Sequence, residues 1–339
     1  MASNSFGELL RITTFGESHG PGIGVVIDGC PAGLALTEAA FEPELARRRP
    51  GQSAATTGRK EEDRPRILSG VFEGRTTGMP IAVWVENTDA DSSAYSPAPE
   101  HDRPGHADRV YREKYGHRDH RGGGRSSGRE TIARVIGGVV ARKLLPPGLR
   151  IHGHALQVGP HRAKDFQPES IEANPMRCAD PAVAPAMLAY VLDLKQAGDS
   201  TGGLVELRIT GVPAGWGDPV FRKLKAELAH ALLSIGAVTG FSFGAGFDVA
   251  GMRGSEYLAD PGADGGLLGG ISNGGELRLH LAVKPTSSIA DVAKRGRHDP
   301  CIVPRIIPVA EAMVALVLAD ASLRARLARI ASPTDIPHA

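Results

Sequence analysis

The segment that decides the fold is RGGGRSSGRETIARVIGGVVARKLLPP, residues 121–147. Three consecutive glycines free the backbone, and Ser127 with Glu130 three positions later forms a capping-box pattern. The apolar run from Thr131 onward predicts a buried helix, which a pair of prolines ends. Because free backbone N–H groups and the positive end of the helix dipole meet at such a start, the segment predicts a site for an anion such as phosphate.

Positive charge is concentrated around this loop. Between Arg103 and Arg134 there are nine Arg or Lys and four Asp or Glu, an excess of +5, whereas the whole chain carries +1. This balance argues against a polyanion binder and favours a small anionic ligand. Two alternatives stay open from the pattern: a solvated turn that caps a helix, and an RNA-binding segment. The apolar helix and the aromatic content of 5% weaken the second, and the missing GK[ST] excludes a nucleotide P-loop.

Composition sets the class of protein. The 339 residues are 41% hydrophobic and 23% charged, which predicts a substantial core and excludes wholesale disorder. Cys30, Cys178 and Cys301 lie far apart without CxxC spacing, so we expect reduced, buried thiols and neither a disulfide framework nor a metal site. No signal-peptide pattern or apolar run of membrane-span length is evident. We therefore expect a cytoplasmic protein that binds neither a membrane nor nucleic acid.

Strand-like and helix-like segments are mixed along the chain. β-rich runs bounded by Gly or Pro predict strands at Ile23–Asp28, Pro80–Glu86, Arg150–Gln157, Gly203–Ile209 and Glu276–Val283. Besides the helix after Ser127, capping and periodicity predict helices over residues 37–49 (with a restart at Pro43), 180–196, 219–235 and 307–330. Without a linker or a repeat, this mixture predicts one α+β domain with several sheets, spanning residues 1–339.

Two further clusters carry groups suited to chemistry. His19 lies between glycines in the GESHG stretch (residues 16–20), where it could act as an acid or base near neutral pH. An exposed turn is the alternative. Arg47–Arg49 end a predicted helix and suit capture of phosphate or carboxylate, although they could equally complement the helix C-terminus.

Near the C-terminal end, Lys284–Ser288 again offers donors to an anion, and Asp299 lies among cations in the RGRHDPC stretch. A carboxylate in such a setting is more often part of a structural salt bridge. GDSTGG (residues 198–203) resembles a serine-protease nucleophile sequence, but no matching histidine or disulfide pattern accompanies it. We interpret it as a turn that enters a strand.

In their order along the chain, these motifs resemble the chorismate synthase family over nearly the whole length. The matching stretches are TTFGESHG, DGCPAG, RRRPG, LSGVFEGRTTGMPI, ENTD, RPGHAD, KYGHRDHRGGGRSSGRET, GDSTGG, VPAGWGDPVF, GGISNG, KPTSS and RHDPC. RPGHAD, GGGRSS and RHDP are the most specific of them.

The resemblance implies a β-α-β sandwich of antiparallel sheets with helices, reduced FMN as cofactor and a homotetramer. It implies a lyase of the shikimate pathway, in aromatic amino-acid biosynthesis. The reaction is the anti-1,4-elimination of phosphate from 5-enolpyruvylshikimate 3-phosphate (EPSP), which gives chorismate. NADPH would enter only indirectly, as the source of reducing equivalents for an external flavin reductase. An Arg-rich site suits a substrate with one phosphate and two carboxylates.

The resemblance also implies roles for single residues. His19 would protonate the departing phosphate, His106 would protonate or hydrogen-bond the reduced flavin near N1, and Asp299 would act with flavin N5 in removing the C6 proton. Substrate contacts would come from Ser18, Arg48, Arg49, Arg125 and Arg129. Flavin contacts would come from Arg125, Ser126, Ser127, Gly236, Ala237, Gly269, Lys284, Pro285, Thr286, Ser287, Ser288 and Arg297.

Several positions depart from the family pattern. Ala54 stands where a second ligand-binding Arg is usual, with Arg59 as a substitute candidate, and Gly236 stands where Asn or Pro is usual. An Asn is missing from GADGG, and the stretches 253–267 and 288–297 are short. A second hypothesis is therefore a flavin- or phosphate-binding protein that has lost catalysis through these changes.

Overall fold

The first part of the chain forms an antiparallel five-stranded sheet in the order β1-β2-β3-β7-β4. The computed structural model describes residues 3–49, 51, 63–88, 102–287, 289 and 299–329. The strands of the first sheet are β1 (Ser5–Phe6), β2 (Arg11–Gly16), β3 (Gly22–Asp28), β4 (Pro65–Ile67) and β7 (Ile81–Glu86), while β5 (Val71–Phe72) and β6 (Arg75–Thr76) pair with each other. Alternate apolar residues in β3 and β7 are fully buried, so one face of this sheet covers the core.

The second five-stranded sheet is also antiparallel, in the order β11-β14-β10-β8-β9. Its strands are β8 (Arg150–Val158), β9 (His161–Arg162), β10 (Gly203–Thr210), β11 (Val238–Phe243) and β14 (Leu277–Val283), and β12 (Leu267–Leu268) pairs with β13 (Ile271–Ser272). All five predicted strands are confirmed, as β3, β7, β8, β10 and β14. They could be predicted because their apolar residues alternate and Gly or Pro marks their ends.

Seven α-helices are described. They are α1 (Glu42–Arg48), α2 (Asp108–Tyr115), α3 (Thr131–Leu144), α4 (Ala184–Ala197), α5 (Leu224–Leu233), α6 (Gly254–Ala259) and α7 (Val303–Ala325). Short 3₁₀ segments lie at Glu38–Ala40, Gly124–Ser126, Gly128–Glu130, Pro168–Ser170 and Gly246–Gly251. The predicted restart at Pro43 is confirmed, since a 3₁₀ turn precedes α1.

Helices α3 and α7 fill the space between the sheets. Helix α3 packs on β2 and β3, α7 packs on β8 and β10, and the two helices pack on each other. Gly138 allows this close approach, because a Cβ there would lie 2.4 Å from Ala312 Cβ. The result is the predicted α+β sandwich of antiparallel sheets with helices between them, around one hydrophobic core.

Helix α7 is the one described helix that is long and apolar enough to cross a membrane, with a mean hydropathy of 1.9. Within the fold 94% of its most apolar window is buried, so it is a core helix. Near its end, Asp320 Oδ1 accepts backbone N–H bonds from Leu9 at 2.7 Å and Leu10 at 2.9 Å. This carboxylate ties the start of the chain to the final helix.

The predicted start of α7 at residue 307 is wrong, and two prolines explain the difference. Pro304 lies in the first turn, where its missing N–H is not needed. Pro308 lies inside the helix and cannot donate to the carbonyl of Pro304. Arg177 Nη1 donates to that carbonyl at 2.6 Å instead. A side chain from a distant segment thus satisfies the backbone group that the proline leaves.

The helix predicted over 219–235 is also shorter than expected. It begins at Leu224 and ends at Leu233. Asp218 does not cap it. Its carboxylate instead accepts a bond from Arg324 Nε at 2.8 Å. Helix α4 begins at Ala184, four residues later than predicted, and it ends as predicted, with Gly198 in the left-handed conformation. All three cysteines are free and buried, as predicted.

Candidate functional site

A cavity of about 1420 Å³ lies where the glycine-rich loop, α2, the strand ends around residue 284 and the start of α7 meet. Most of the predicted site residues line it: Arg48, His106, Arg125, Ser126, Ser127, Arg129, Gly236, Ala237, Lys284, Pro285, Thr286, Ser287 and Asp299. Residues as far apart in the sequence as Arg48 and Asp299 are therefore brought to one place.

The glycine-rich loop is anchored before it reaches the helix. Arg125 Nη2 donates to Thr14 Oγ1 at 2.5 Å, and its Nη1 donates to the Gly16 carbonyl at 3.1 Å. Ser127 caps the following turn by accepting from Arg129 N at 3.3 Å. The predicted reciprocal half of the capping box is wrong, because Glu130 pairs with Arg134 at 3.0 Å. The loop is thus a fixed part of the cavity wall.

His19 lies directly behind this loop. A Cβ on Gly122 would come within 2.0 Å of His19 Nδ1, so only glycine leaves room for the imidazole. Ser18, which is 1% exposed, places its Oγ 3.0 Å from the same nitrogen. His19 itself is half-buried. The cavity lining includes Glu17 and Gly122 but not Ser18 or His19. His19 therefore lies behind the wall of the cavity that His106 and Asp299 line, with Gly122 between its imidazole and the cavity.

A buried carboxylate that the sequence did not single out holds two of the predicted substrate-binding arginines. Asp63 accepts from Arg129 Nη1 at 3.0 Å and lies 3.5 Å from Arg48 Nη1. Arg48 also donates to Thr131 Oγ1 at 3.2 Å and to the Gly128 carbonyl at 2.7 Å. Both guanidinium groups are almost fully buried, and Asp63 fixes their direction toward the loop.

A second carboxylate, Asp108, organises the RPGHAD segment. Arg103 donates to both of its oxygens, at 2.8 and 2.9 Å, and Arg118 Nη1 lies 2.8 Å away. Burial acts to raise the pKa of Asp108, but the hydrogen bonds from Arg103 and the charges of Arg103 and Arg118 outweigh it and hold the pKa at about 2. The His106 backbone N–H donates to the Arg103 carbonyl at 3.2 Å, so this network sets the path of the segment.

The KPTSS segment joins the other parts of the site. Ser287 Oγ donates to the Gly105 carbonyl at 3.0 Å, and Thr286 Oγ1 donates to the Asp299 carbonyl at 3.0 Å. The Lys284 backbone N–H donates to the Ala237 carbonyl, also at 3.0 Å. The GDSTGG turn also contacts this segment, because Ser200 Oγ donates to the Thr286 carbonyl at 2.8 Å.

Asp299 forms an ion pair with Arg305 Nη1, a residue that the sequence did not mark. The Asp299 side chain is 8% exposed. Arg305 also reaches the carbonyl of Arg48 at 3.4 Å, which links the start of α7 to the end of α1. Asp299 therefore does form a salt bridge, which was the alternative to a chemical role, and both residues of the pair line the cavity.

The remaining predicted residues lie apart from the cavity lining or outside the described residues. Arg49 lies at the end of α1, and Gly269 lies in the turn between β12 and β13. Ala237, by contrast, does line the cavity. It adopts a φ of +71°, which is strained for a residue with a side chain. Ser288, Arg297, Ala54 and Arg59 fall outside the described residues.

The lining has an excess of positive charge. Among the described residues nine cationic side chains line the cavity (Arg48, Arg103, Lys114, Arg118, Arg125, Arg129, Arg134, Lys284 and Arg305), against five carboxylates (Glu17, Asp108, Asp119, Glu130 and Asp299). No group of His, Cys, Asp or Glu within the described part of the chain could hold a metal ion. The arrangement suits a ligand with several negative charges.

Comparisons with known proteins agree on one family. The family model described as chorismate synthase matches residues 10–323. A chorismate synthase from Methanosarcina mazei is 53% identical over 354 residues, which cover 96% of this chain and 97% of the relative. One from Methanocella arvoryzae is 54% identical and covers 94% of each chain. A solved crystal structure of a chorismate synthase superposes with a TM-score of 0.78 at 32% identity and covers 94% of this chain and 93% of that one.

Proposed function

The chain belongs to the chorismate synthase family, and we propose that it converts EPSP to chorismate and phosphate by an anti-1,4-elimination that depends on reduced FMN. The observation that carries the proposal is the shared cavity. His106, Asp299 and the loop in front of His19 face one cationic space, although the three residues lie far apart in the sequence.

The residues present fit a flavin mononucleotide. A phosphorylated flavin needs donors for its phosphate and room for its ring, and the cavity offers about 1420 Å³. Ser126, Ser127 and the described part of the KPTSS segment, Lys284–Ser287, all line the cavity and provide hydroxyl and ammonium donors. Arg125, Gly236, Ala237 and His106 line the same space. We assign the flavin to these residues, with Gly269, Ser288 and Arg297 carried over from the family pattern alone.

The arginines fit the substrate. EPSP carries a phosphate and two carboxylates, and planar guanidinium groups bind such oxygens in pairs. Arg48 and Arg129 are held in place by Asp63, so binding substrate does not have to fix their long side chains. With Ser18, Arg49 and Arg125, they form the proposed substrate-binding set.

The chemistry requires the C–O bond to phosphate to break and the proton on C6 to leave. A reduced flavin held in this cavity would supply electron density and regain it by the end of the reaction, so no net oxidation would occur. His19 delivers a proton to the departing phosphate oxygen, and Asp299 accepts the proton from C6. His106, which lines the cavity, would protonate or hydrogen-bond the reduced flavin near N1. Burial excludes water from Asp299, and Arg305 fixes its position.

Turnover under anaerobic conditions tests the proposal. With EPSP and chemically reduced FMN, the purified protein should release phosphate and form chorismate in equal amounts. His19→Ala and His106→Ala should each lower kcat by about 10²–10⁴-fold. Absence of both products at every enzyme concentration would overturn the proposed function.

A titration with FMN, with and without EPSP, separates the enzyme from a protein that only binds flavin or phosphate. The enzyme should bind flavin more tightly when EPSP is present. Family membership also supports a cytoplasmic homotetramer whose flavin is reduced by a separate, NADPH-linked flavin reductase.

A further inference from the structure

Asn87, the residue that follows β7, connects two parts of the proposed site through one amide group. Its Nδ2 donates to the Glu17 carbonyl at 2.9 Å and to the Gly20 carbonyl at 2.7 Å. These two carbonyls are the ends of the turn that carries His19, which a bond from Gly20 N to the Glu17 carbonyl closes at 3.1 Å. The amide therefore pins both ends of the turn.

The other end of the same amide faces an arginine. Asn87 Oδ1 accepts a hydrogen bond from Arg129 Nε. Arg129 is 4% exposed, and its Nη1 is held by Asp63 at 3.0 Å. Arg129 Nη2 also donates to the Glu86 carbonyl, at the longer distance of 3.4 Å. Asn87 is the acceptor at the Nε edge, so together with Asp63 it fixes the plane of the guanidinium group.

We propose that Asn87 is a positioning residue for the reaction: its amide nitrogen sets the turn that carries the acid His19, and its amide oxygen sets the plane of the substrate-binding Arg129. The inference rests on the proposed function. A short amide is required, because the position needs a double donor on one side and an acceptor on the other.

Asn87→Asp separates the two effects. The variant keeps an oxygen for Arg129 but turns a second oxygen toward two backbone carbonyls, which repels the turn that holds His19. We expect kcat to fall by about 10²-fold, the size of effect that a shift of about 1 Å produces. KM for EPSP should stay within about threefold of the wild-type value. Asn87→Ala, which loses both contacts, should lower kcat similarly and raise KM about tenfold.

A double-mutant cycle tests whether Asn87 acts through His19. In the His19→Ala background, Asn87→Asp should lower kcat by less than about threefold, because the group that it positions is already absent. A loss as large as in the wild-type background would overturn the proposal, as would an unchanged kcat in Asn87→Asp alone.

Asn174 provides a matched control. Its Nδ2 donates to the Ser170 and Cys178 carbonyls, at 2.7 and 2.9 Å, in a turn outside the cavity lining. Asn174→Ala should lower the unfolding temperature and leave kcat and KM unchanged. A change in kcat or KM equal to that of Asn87→Ala would mean that lost stability alone explains the effect.

Binding of inorganic phosphate, measured by calorimetry, gives a readout without turnover. Phosphate should bind about tenfold more weakly to Asn87→Ala and within threefold of wild type to Asn87→Asp. Equal phosphate binding by all three proteins would overturn the proposed role of Asn87 in orienting Arg129. Should Asn87→Asp fail to fold, the comparison of Asn87→Ala with the wild type tests that role. A wild-type protein that binds phosphate but forms no chorismate would instead contradict the proposed function.

Discussion

Replacing Gly122 by alanine should damage the reaction far more than the fold. The new Cβ would lie 2.0 Å from His19 Nδ1 and 2.5 Å from its Cε1, whereas ordinary contacts begin near 3.4 Å. The imidazole must therefore move by about 1.4 Å. This movement disturbs its contact with Ser18 Oγ, which lies 3.0 Å from His19 Nδ1 in the wild-type protein. Since the group that moves is a side chain, the backbone of the loop can remain in place.

The expected size follows from that displacement. A misplacement of about 1 Å at a catalytic group costs on the order of 10²-fold in rate, so kcat in Gly122→Ala should fall at least that far. The unfolding free energy should change by no more than about 1 kcal/mol, because a rotating ring relieves the clash and alanine restricts the unfolded chain. Anaerobic phosphate release with EPSP and reduced FMN measures kcat, and urea unfolding measures stability.

Gly148→Ala is the control, because nothing lies within 4 Å of the new Cβ and the position is outside the cavity lining. It should leave kcat unchanged. In the His19→Ala background, Gly122→Ala should have little further effect, since the ring that it displaces is gone. Wild-type kcat in Gly122→Ala, or an equal further loss in the double variant, would refute the placement of His19 as the acid.

Three more results are expected. The ion pairs of Asp108 hold its pKa at about 2, below the value of about 3.9 in an unfolded chain, so they stabilise the fold fully above about pH 4. This stability is lost as the pH falls through about 2. Urea unfolding between about pH 5 and 2 should therefore show a loss of unfolding free energy in the wild type that Asp108→Asn lacks. Gly138→Val should lower the unfolding free energy by about 1–3 kcal/mol or more, since its Cβ would meet Ala312, whereas Gly254→Ala should stay within about 0.5 kcal/mol. Ala237→Gly should raise the unfolding free energy by about 0.5–1 kcal/mol through relief of its φ of +71°, and a fall measured in the same assay would contradict the strain.

The sequence predicts five of the fourteen described strands and the central helix α3, because local rules determine these elements. Buried strands alternate, Gly and Pro mark their ends, and a capping serine precedes the apolar helix. The errors occur where a distant residue decides the local structure. Asp218 has the pattern of a helix cap, yet Arg324 donates to its carboxylate. In α7, the carbonyl that Pro308 leaves without a helical donor accepts a bond from the distant Arg177.

The candidate site shows the same division. Motifs place most of the predicted residues around one cavity, but the groups that hold them have weaker signals. Asp108 and Asn87 lie within the RPGHAD and ENTD motifs, where the motif itself could have marked them. Asp63 and Arg305 carry no local pattern, since their importance comes from buried ion pairs across many residues. Only the folded chain shows such pairs.

The carboxylate of Asp320 has a consequence for biogenesis. It accepts hydrogen bonds from the amides of Leu9 and Leu10, more than 300 residues earlier, so the link between β1 and β2 gains these bonds only after the ribosome has made nearly the whole chain. Until then α7, whose most apolar window is 94% buried in the finished fold, cannot take its place in the core, and apolar surface stays exposed. Translation must therefore end before folding can, and a chain truncated before Asp320 should be a substrate for chaperones and proteases.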